Sequence, residues 1–381
     1  MLPLRAMNIA VNTRFLLKDR LEGMGYFVQE VFRRMAAAHP EHQFFFLFDR
    51  PYDPQFIFAS NVTPLVLAPA ARHPLLWKYW FDIKVPAALR KIKADIFVST
   101  DGYCSLATRV PQCMIVHDLG FLHQPEAYKK SHLLYLKRYT PKYVQKAKSV
   151  ATVSEFSKAD LIKQYGVAEE KLTVVYSAVK EAFKPIPFEE QQKIKDQYTN
   201  GKEYFIYAGA IQPRKNLVNL LKAFSIFKKR QQTNWKLILA GRLAWKNNEF
   251  LELLKTYKYK EDVILTGYIE EGELVRLIAA SYALVYPSFF EGFGVPVLEA
   301  MKCNVPALTS EGTSMQEIGS TAALYFNPTD PASIADKLML IYKDEDLRKR
   351  LIEEGKTIAA QYTWDRTASL LWDAMEKAFR E

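Results

Sequence analysis

Short apolar runs alternate along the chain with longer stretches of helical periodicity. In the first half the runs are Asn8–Val11, Phe44–Phe48, Thr63–Leu67, Asp95–Ser99, Gln112–Val116, Ser149–Val153 and Leu172–Tyr176. Several carry apolar residues at successive positions instead of alternate ones, as strands buried on both faces do. Helical patterns such as Met24–Ala38 and Leu133–Lys146 fill the gaps. A βαβα order predicts a parallel sheet with helices on both faces. The rhythm halts over Lys180–Lys202, where Pro185 and Pro187 precede a polar stretch and Asn200-Gly201. Prolines stiffen a connection and polar residues bury little, so the segment reads as a domain boundary. The rhythm restarts at Tyr204–Ala208, Lys236–Ala240, Val263–Thr266, Ala283–Tyr286, Val305–Leu308 and Leu324–Phe326.

The expected class is α/β, with two Rossmann-like doubly wound domains at residues 1–184 and 185–363. An amphipathic helix over Trp364–Glu381 closes the chain. Ligands in such sheets bind beyond the carboxyl ends of the strands. Two such domains facing across a cleft place the expected site between them.

Composition narrows the class without choosing a function. An apolar fraction of 49% and a charged fraction of 25% exclude a disordered chain, a collagen-like fibre and a multi-span membrane protein. No apolar run reaches the ~18 residues a bilayer crossing needs, and no secretion signal is read at the start. Cys104, Cys113 and Cys303 form no CxxC pair, so neither a disulfide scaffold nor a zinc ribbon is expected, and the cytoplasm is the simplest compartment. With 52 Lys and Arg against 42 Asp and Glu, the net charge of +10 favours anionic partners.

The chemistry concentrates in two segments of the second half. Tyr286–Met301 reads YPSFFEGFGVPVLEAM, a strand end, a glycine-bearing loop and a helix begun at Pro296. The amides of Gly292, Phe293, Gly294 and Val295 fall at that helix start, where free donors and the helix dipole attract anions. Glu291 and Glu299 bracket the loop, and carboxylates suit the recognition of hydroxyls. Tyr207–Leu217 reads YAGAIQPRKNL, again strand, glycine loop at Gly209 and helix, with Arg214 and Lys215 side by side. A planar guanidinium and a mobile ammonium together suit a diphosphate. Two such cations and a helix start contribute several kcal/mol to a departing diphosphate, at roughly 1.5–3 kcal/mol per charge-assisted bond, so no metal or other cofactor is expected. Asp344-Glu345-Asp346 reads as the start of a charged helix and not as a metal site. In the first half, Gly23-Met24-Gly25 reads as a glycine loop open to a phosphate, and His117-Asp118 follows a strand end.

Together PRKN, FEGFGVPVLEAM, TVSEFSKADL at Thr152–Leu161 and VHDL at Val116–Leu119 resemble glycosyltransferase family 4, over Arg14 to Trp364. The resemblance implies the GT-B fold and retaining transfer of a hexose from a nucleotide-diphosphate sugar to a glycan or lipid-linked acceptor, in polysaccharide or glycoconjugate assembly. The VHDL pattern makes a GDP-sugar, GDP-mannose first, the favoured donor. Arg214 and Lys215 would bind the diphosphate, Glu291 the transferred sugar and Glu299 the ribose. The amides of Phe293 to Val295 would serve sugar and phosphate. Gly23 and Gly25 would close over the diphosphate, and His117 would lie near the reacting sugar. Thr266–Ile269, with Tyr268, would flank the base. His117, Arg214, Lys215 and Glu291 are thus the candidate catalytic set. Gly209 joins the donor-binding set, and Trp364–Glu381 would return to the first domain. An inactive nucleotide-binding scaffold of the same fold is the alternative. A dehydrogenase built on two Rossmann-like halves is a third reading; it predicts a dinucleotide fingerprint, and none is found.

A last expectation concerns the surface. Ala127–Lys148 interleaves seven cations with Tyr128, Tyr135, Tyr139 and Tyr143, and Arg72–Lys84 adds Trp77 and Trp80. A basic aromatic surface suits an anionic bilayer, so peripheral contact with the inner face of the membrane is expected, and nucleic acid is not, for want of a binding module.

Overall fold

The computed structural model describes residues 5–18, 21, 23–244 and 248–380. These form two compact units. One comprises Met1–Ser177 with Thr363–Glu381, the other Ala178–Tyr362.

The first unit holds a parallel sheet of β1 (Asn8–Asn12), β2 (Gln43–Phe48), β3 (Val62–Val66), β4 (Ile96–Ser99), β5 (Gln112–Val116), β6 (Ser149–Thr152) and β7 (Leu172–Val174). Their order is β3-β2-β1-β4-β5-β6-β7. The second unit holds β8 (Tyr204–Ala208), β9 (Lys236–Ala240), β10 (Val263–Gly267), β11 (Ala283–Tyr286), β12 (Ala307–Ser310) and β13 (Ala323–Phe326), in the order β10-β9-β8-β11-β12-β13. Both are doubly wound Rossmann-type sheets. The strand order reverses between β1 and β4 in one and between β8 and β11 in the other, and ligands bind at such switch points.

The apolar runs became strands because helices bury both sheet faces. Every residue of β4, β5, β8 and β11 is buried. Pro64 is accommodated because β3 is an edge strand, where a missing N–H need not break an interior ladder. The β12 pairing begins at Ala307, two residues later than the run at Val305 suggests. Pro306 accounts for this: it has no N–H to donate, although its carbonyl accepts from Leu284 N at 3.0 Å.

The Trp364–Arg380 helix packs within the first unit. Ser149 Oγ donates to the carbonyl of Ala374 at 2.6 Å, and Arg34 Nε pairs with Asp365 at 2.8 Å. The Trp372 ring stacks on His39 with centroids 3.5 Å apart.

Two sequence expectations are corrected in this unit. Gly23 and Gly25 do not form a loop; they open the Gly23–Ala38 helix. A Cβ on Gly25 would lie 2.4 Å from the Phe15 carbonyl oxygen, so this glycine serves the passage of one backbone against another. The aromatic residues expected at a membrane are largely core. Trp77, Trp80, Tyr135 and Tyr143 are buried, with Trp77 Nε1 donating to Ala71 O at 2.7 Å and Trp80 Nε1 to Leu67 O at 2.8 Å. The hydroxyls of Tyr135 and Tyr143 bond to each other at 2.5 Å. These large rings pack in one buried cluster with Phe97, Met114 and Val116 of the sheet, where each removes a large apolar area from water.

Candidate active site

In the second unit β8 and β11 are neighbours, with Leu284 beside Ile206. The loops leaving their carboxyl ends therefore start side by side at the switch point. Phe289 N donates to Arg214 O at 2.9 Å and ties the loops together. Asn216, buried with φ +61°, donates from Nδ2 to Pro287 O at 3.1 Å and to Pro328 O at 2.6 Å.

This arrangement brings Arg214, Lys215 and Glu291 onto one point. Glu291 Oε1 lies 2.8 Å from Arg214 Nη1 and 2.5 Å from Lys215 Nζ. Ser288 Oγ donates to the same oxygen at 2.6 Å, and the Tyr286 hydroxyl approaches it at 3.4 Å. Lys215 Nζ also donates to the Tyr286 hydroxyl and lies 4.8 Å from that ring's centroid. Tyr286 in turn stacks on Tyr207, with centroids 5.6 Å apart. Burial by itself would raise the Glu291 pKa; the ammonium of Lys215, then the guanidinium of Arg214, reverse that and hold it at about 2. Two cations share one carboxylate, so the cluster keeps one net positive charge.

The amide-rich turn beside this cluster is fixed by sterics. Gly294 has φ +100°, and a Cβ there would lie 2.6 Å from Met315 Cγ. Only glycine fits both constraints. The Val295–Lys302 helix follows, with Pro296 in its first turn. Ser314 Oγ secures the turn by donating to Glu291 O at 2.7 Å, and it lies 3.0 Å from Phe293 O. Phe293 is buried, edge-on to Tyr362. Gly292 is buried in the same turn.

Glu299 lies one turn into that helix. Burial raises its pKa to about 7, opposed by Lys180 and assisted by Glu271. Tyr268 follows β10 and stands 77% exposed. Gly209, at φ +147°, donates its N–H to Ala240 O at 2.8 Å. A cavity of about 220 Å³ lined by Gln212, Pro213, Asn216 and Phe289 touches the same loops but includes none of Arg214, Lys215 and Glu291.

His117 belongs to the first unit, directly after β5. Its Nε2–H donates to Thr100 O at 3.1 Å, which leaves Nδ1 as an acceptor. Burial lowers its pKa, so the ring is neutral near pH 7. Phe27 meets it edge-on at 5.4 Å. Asp118 faces elsewhere, accepting from Gly120 N at 2.7 Å. Asp344 caps a helix start, accepting from Leu347 N at 2.8 Å.

Reading the sequence did not single out Tyr286, Ser288, Asn216, Ser314 or Gly241. Gly241 is required because a Cβ there would lie 1.9 Å from Gly209 O. Its place directly after an apolar run, like that of Gly209, was the available signal. Nothing local marks Ser314, which reaches the turn from 21 residues away.

Residues 21–183 match the family model described as Glycosyltransferase Family 4, and residues 188–358 the model described as Glycosyl transferases group 1. The O-antigen chain mannosyltransferase B of Escherichia coli is 27% identical over 361 residues, 92% of this chain and 94% of that protein. The O-antigen chain mannosyltransferase RfbU of Salmonella typhimurium is 29% identical over 314 residues, 80% of each chain. Sucrose-phosphate synthase of Thermosynechococcus elongatus superimposes with a TM-score of 0.79 at 17% identity, covering 98% of this chain and 99% of that one. Anabaena HepE, solved with UDP and glucose, gives a TM-score of 0.75 at 15% identity over 97% and 99% of the chains. At such identities these two structures speak for the fold.

Proposed function

This chain belongs to glycosyltransferase family 4, and from that premise we propose that it is a retaining, metal-independent hexosyltransferase that takes GDP-mannose and extends a glycan or lipid-linked acceptor in polysaccharide assembly. The convergence of Arg214, Lys215 and Glu291 at the β8/β11 switch point carries the proposal. The names of the two O-antigen mannosyltransferases favour mannose and a polysaccharide product.

The donor's diphosphate takes the place beside Arg214 and Lys215, with the amides of Gly292 to Val295 completing the anion site. As the sugar–phosphate bond breaks, charge builds on the phosphate oxygen and these fixed donors stabilise it without reorganising. Glu291, ionised at neutral pH, holds both cations in place and accepts sugar hydroxyls. Glu299 accepts the ribose hydroxyls, Tyr268 flanks the base, and Gly209 leaves room at the strand end. His117 offers neutral Nδ1 to a hydroxyl of the transferred sugar. In a front-side displacement the departing phosphate oxygen takes the acceptor's proton, so the anomeric configuration is kept.

A thermal-shift panel of GDP, UDP and ADP with their sugars tests the donor. Transfer or hydrolysis of GDP-mannose is then followed in EDTA, with the product anomer read by proton NMR. The expected outcome is a GDP-selective shift and metal-free turnover with retention. A UDP- or ADP-selective shift overturns the donor, an EDTA-abolished rate overturns metal independence, and binding without turnover leaves a nucleotide-binding scaffold.

A further inference from the structure

Glu291 carries two carboxylate oxygens, and the protein engages one of them. Arg214, Lys215, Ser288 and Tyr286 all converge on Oε1, at 2.8, 2.5, 2.6 and 3.4 Å. Among the described residues no donor reaches Oε2. A carboxylate oxygen accepts through two lone pairs, so four donors exceed the capacity of Oε1, whereas Oε2 keeps its own for a ligand.

The four donors differ in what else can claim them. Arg214 and Lys215 are cations, and a diphosphate competes with Glu291 for both. Ser288 and Tyr286 are neutral and fixed in place. Ser288 is fully buried; its Oγ stands 2.6 Å from Glu291 and 3.2 Å from the carbonyls of Arg214 and Phe290, so the carboxylate is its nearest acceptor. The Tyr286 ring lies within 10° of parallel to Tyr207, whose own hydroxyl donates to Ala210 O at 2.9 Å. Thr309 Oγ1 donates to Tyr286 O at 3.0 Å and fixes its backbone. The Tyr286 hydroxyl accepts from Lys215 and donates to Glu291, so one oxygen joins the cation to the carboxylate. Burial opposes the charge on Glu291. Once a diphosphate draws the cations away, a carboxylate with no other donor would take up a proton or turn from its ligand.

We propose that Tyr286 and Ser288 are positioning residues: their hydroxyls hold Glu291 by Oε1 when Arg214 and Lys215 turn to the donor's diphosphate, and so keep Oε2 directed at the hydroxyls of the transferred sugar. This role rests on the donor reading given above and adds to it two residues that act through Glu291. Neither touches sugar or phosphate. Their effect therefore falls on the sugar half of the donor and spares the nucleotide half.

Calorimetric titration of the full chain with GDP-mannose and with GDP, or with the UDP or ADP pair that the thermal-shift panel selects, separates the two halves. The quantity read is the ratio of the two dissociation constants, beside initial rates at saturating donor and a melting curve. Tyr286→Phe removes one oxygen and keeps the ring on Tyr207, so it carries the test even if Ser288→Ala melts lower. It should weaken the nucleotide sugar about fivefold and lower turnover by at least as much, with the nucleoside diphosphate bound within about twofold of wild type. Ser288→Ala should act in the same direction, and the double variant should shift the ratio by at least about tenfold. Glu291→Ala is the control on the underlying reading and should shift the ratio at least as far as the double variant. A Glu291→Ala ratio equal to wild type means that Glu291 does not meet the sugar, and the donor reading of Glu291 falls together with this role. A shifted Glu291→Ala ratio beside an unshifted double variant overturns the role of Tyr286 and Ser288 alone. Equal weakening of nucleotide sugar and nucleoside diphosphate in Tyr286→Phe also overturns it, because the hydroxyl then serves Lys215 and the diphosphate instead.

Discussion

Lys215→Met tests the cation cluster most directly, because it removes the charge while keeping the length of the side chain. In the resting structure Lys215 Nζ contacts Glu291 Oε1 at 2.5 Å, and the Tyr286 hydroxyl accepts from it. Glu291 would then keep Arg214 and Ser288 as partners, so the cluster survives with one donor fewer. The gap between an ordinary carboxyl at 4.5 and Glu291 at about 2 corresponds to about 3 kcal/mol, shared between the two cations. A depressed carboxyl pKa supports the fold above the unfolded value and loses that support as pH falls through the folded one. In the variant the folded value rises, so the acid limb of the melting curve moves to higher pH. The catalytic loss is larger. One charge-assisted donor on the leaving phosphate contributes about 1.5–3 kcal/mol, and a fixed oxyanion donor up to about 4 kcal/mol, which is roughly a 10- to 1,000-fold fall in turnover. Initial rates at saturating donor, alongside a melting curve of the same preparation, measure both. A folded variant that turns over within threefold of wild type would refute the assignment of Lys215 to the leaving group.

Three further expectations rest on the same structure. Because burial holds Glu299 near 7, its ionisation costs stability as pH rises from about 4.5 through about 7; Glu299→Gln should remove that slope, so its melting temperature gains on wild type above pH 7, and parallel pH profiles would show the carboxyl to be exposed instead. Gly294→Ala meets both the φ of +100° and the Met315 side chain, at a cost of about 2–4 kcal/mol, and should lower the melting temperature by roughly 5–15 °C; adding Met315→Ala should recover the steric part only. His117→Ala should reduce turnover more than donor affinity, measured by steady-state kinetics beside calorimetric titration, and an unchanged rate constant would make His117 a packing partner of Phe27.

What could be read from the chain alone is what depends on neighbours in sequence. Strands buried on both faces must be continuously apolar, so β8 and β11 declare themselves, and the glycine and proline positions after them mark the loops and the start of the Val295–Lys302 helix. The cations and both glutamates were legible for the same reason, since each stands at a fixed offset from a strand end. Tertiary structure decided where they meet. Glu291 is 76 residues from Lys215, and only the adjacency of β8 and β11 makes one carboxylate oxygen the shared partner of both cations. Burial was likewise undecided by sequence. A tryptophan beside lysines reads equally as an anchor or as core, and packing against the sheet assigned Trp80 to the interior while leaving Leu134 outside. Gly25 shows the same limit: its short spacing from Gly23 reads as a loop, but both residues open a helix, and Gly25 lets the carbonyl of Phe15, a residue outside that helix, pass close against it. Local pattern follows from backbone geometry, whereas shared partners and burial arise from parts of the chain that come together only when it folds.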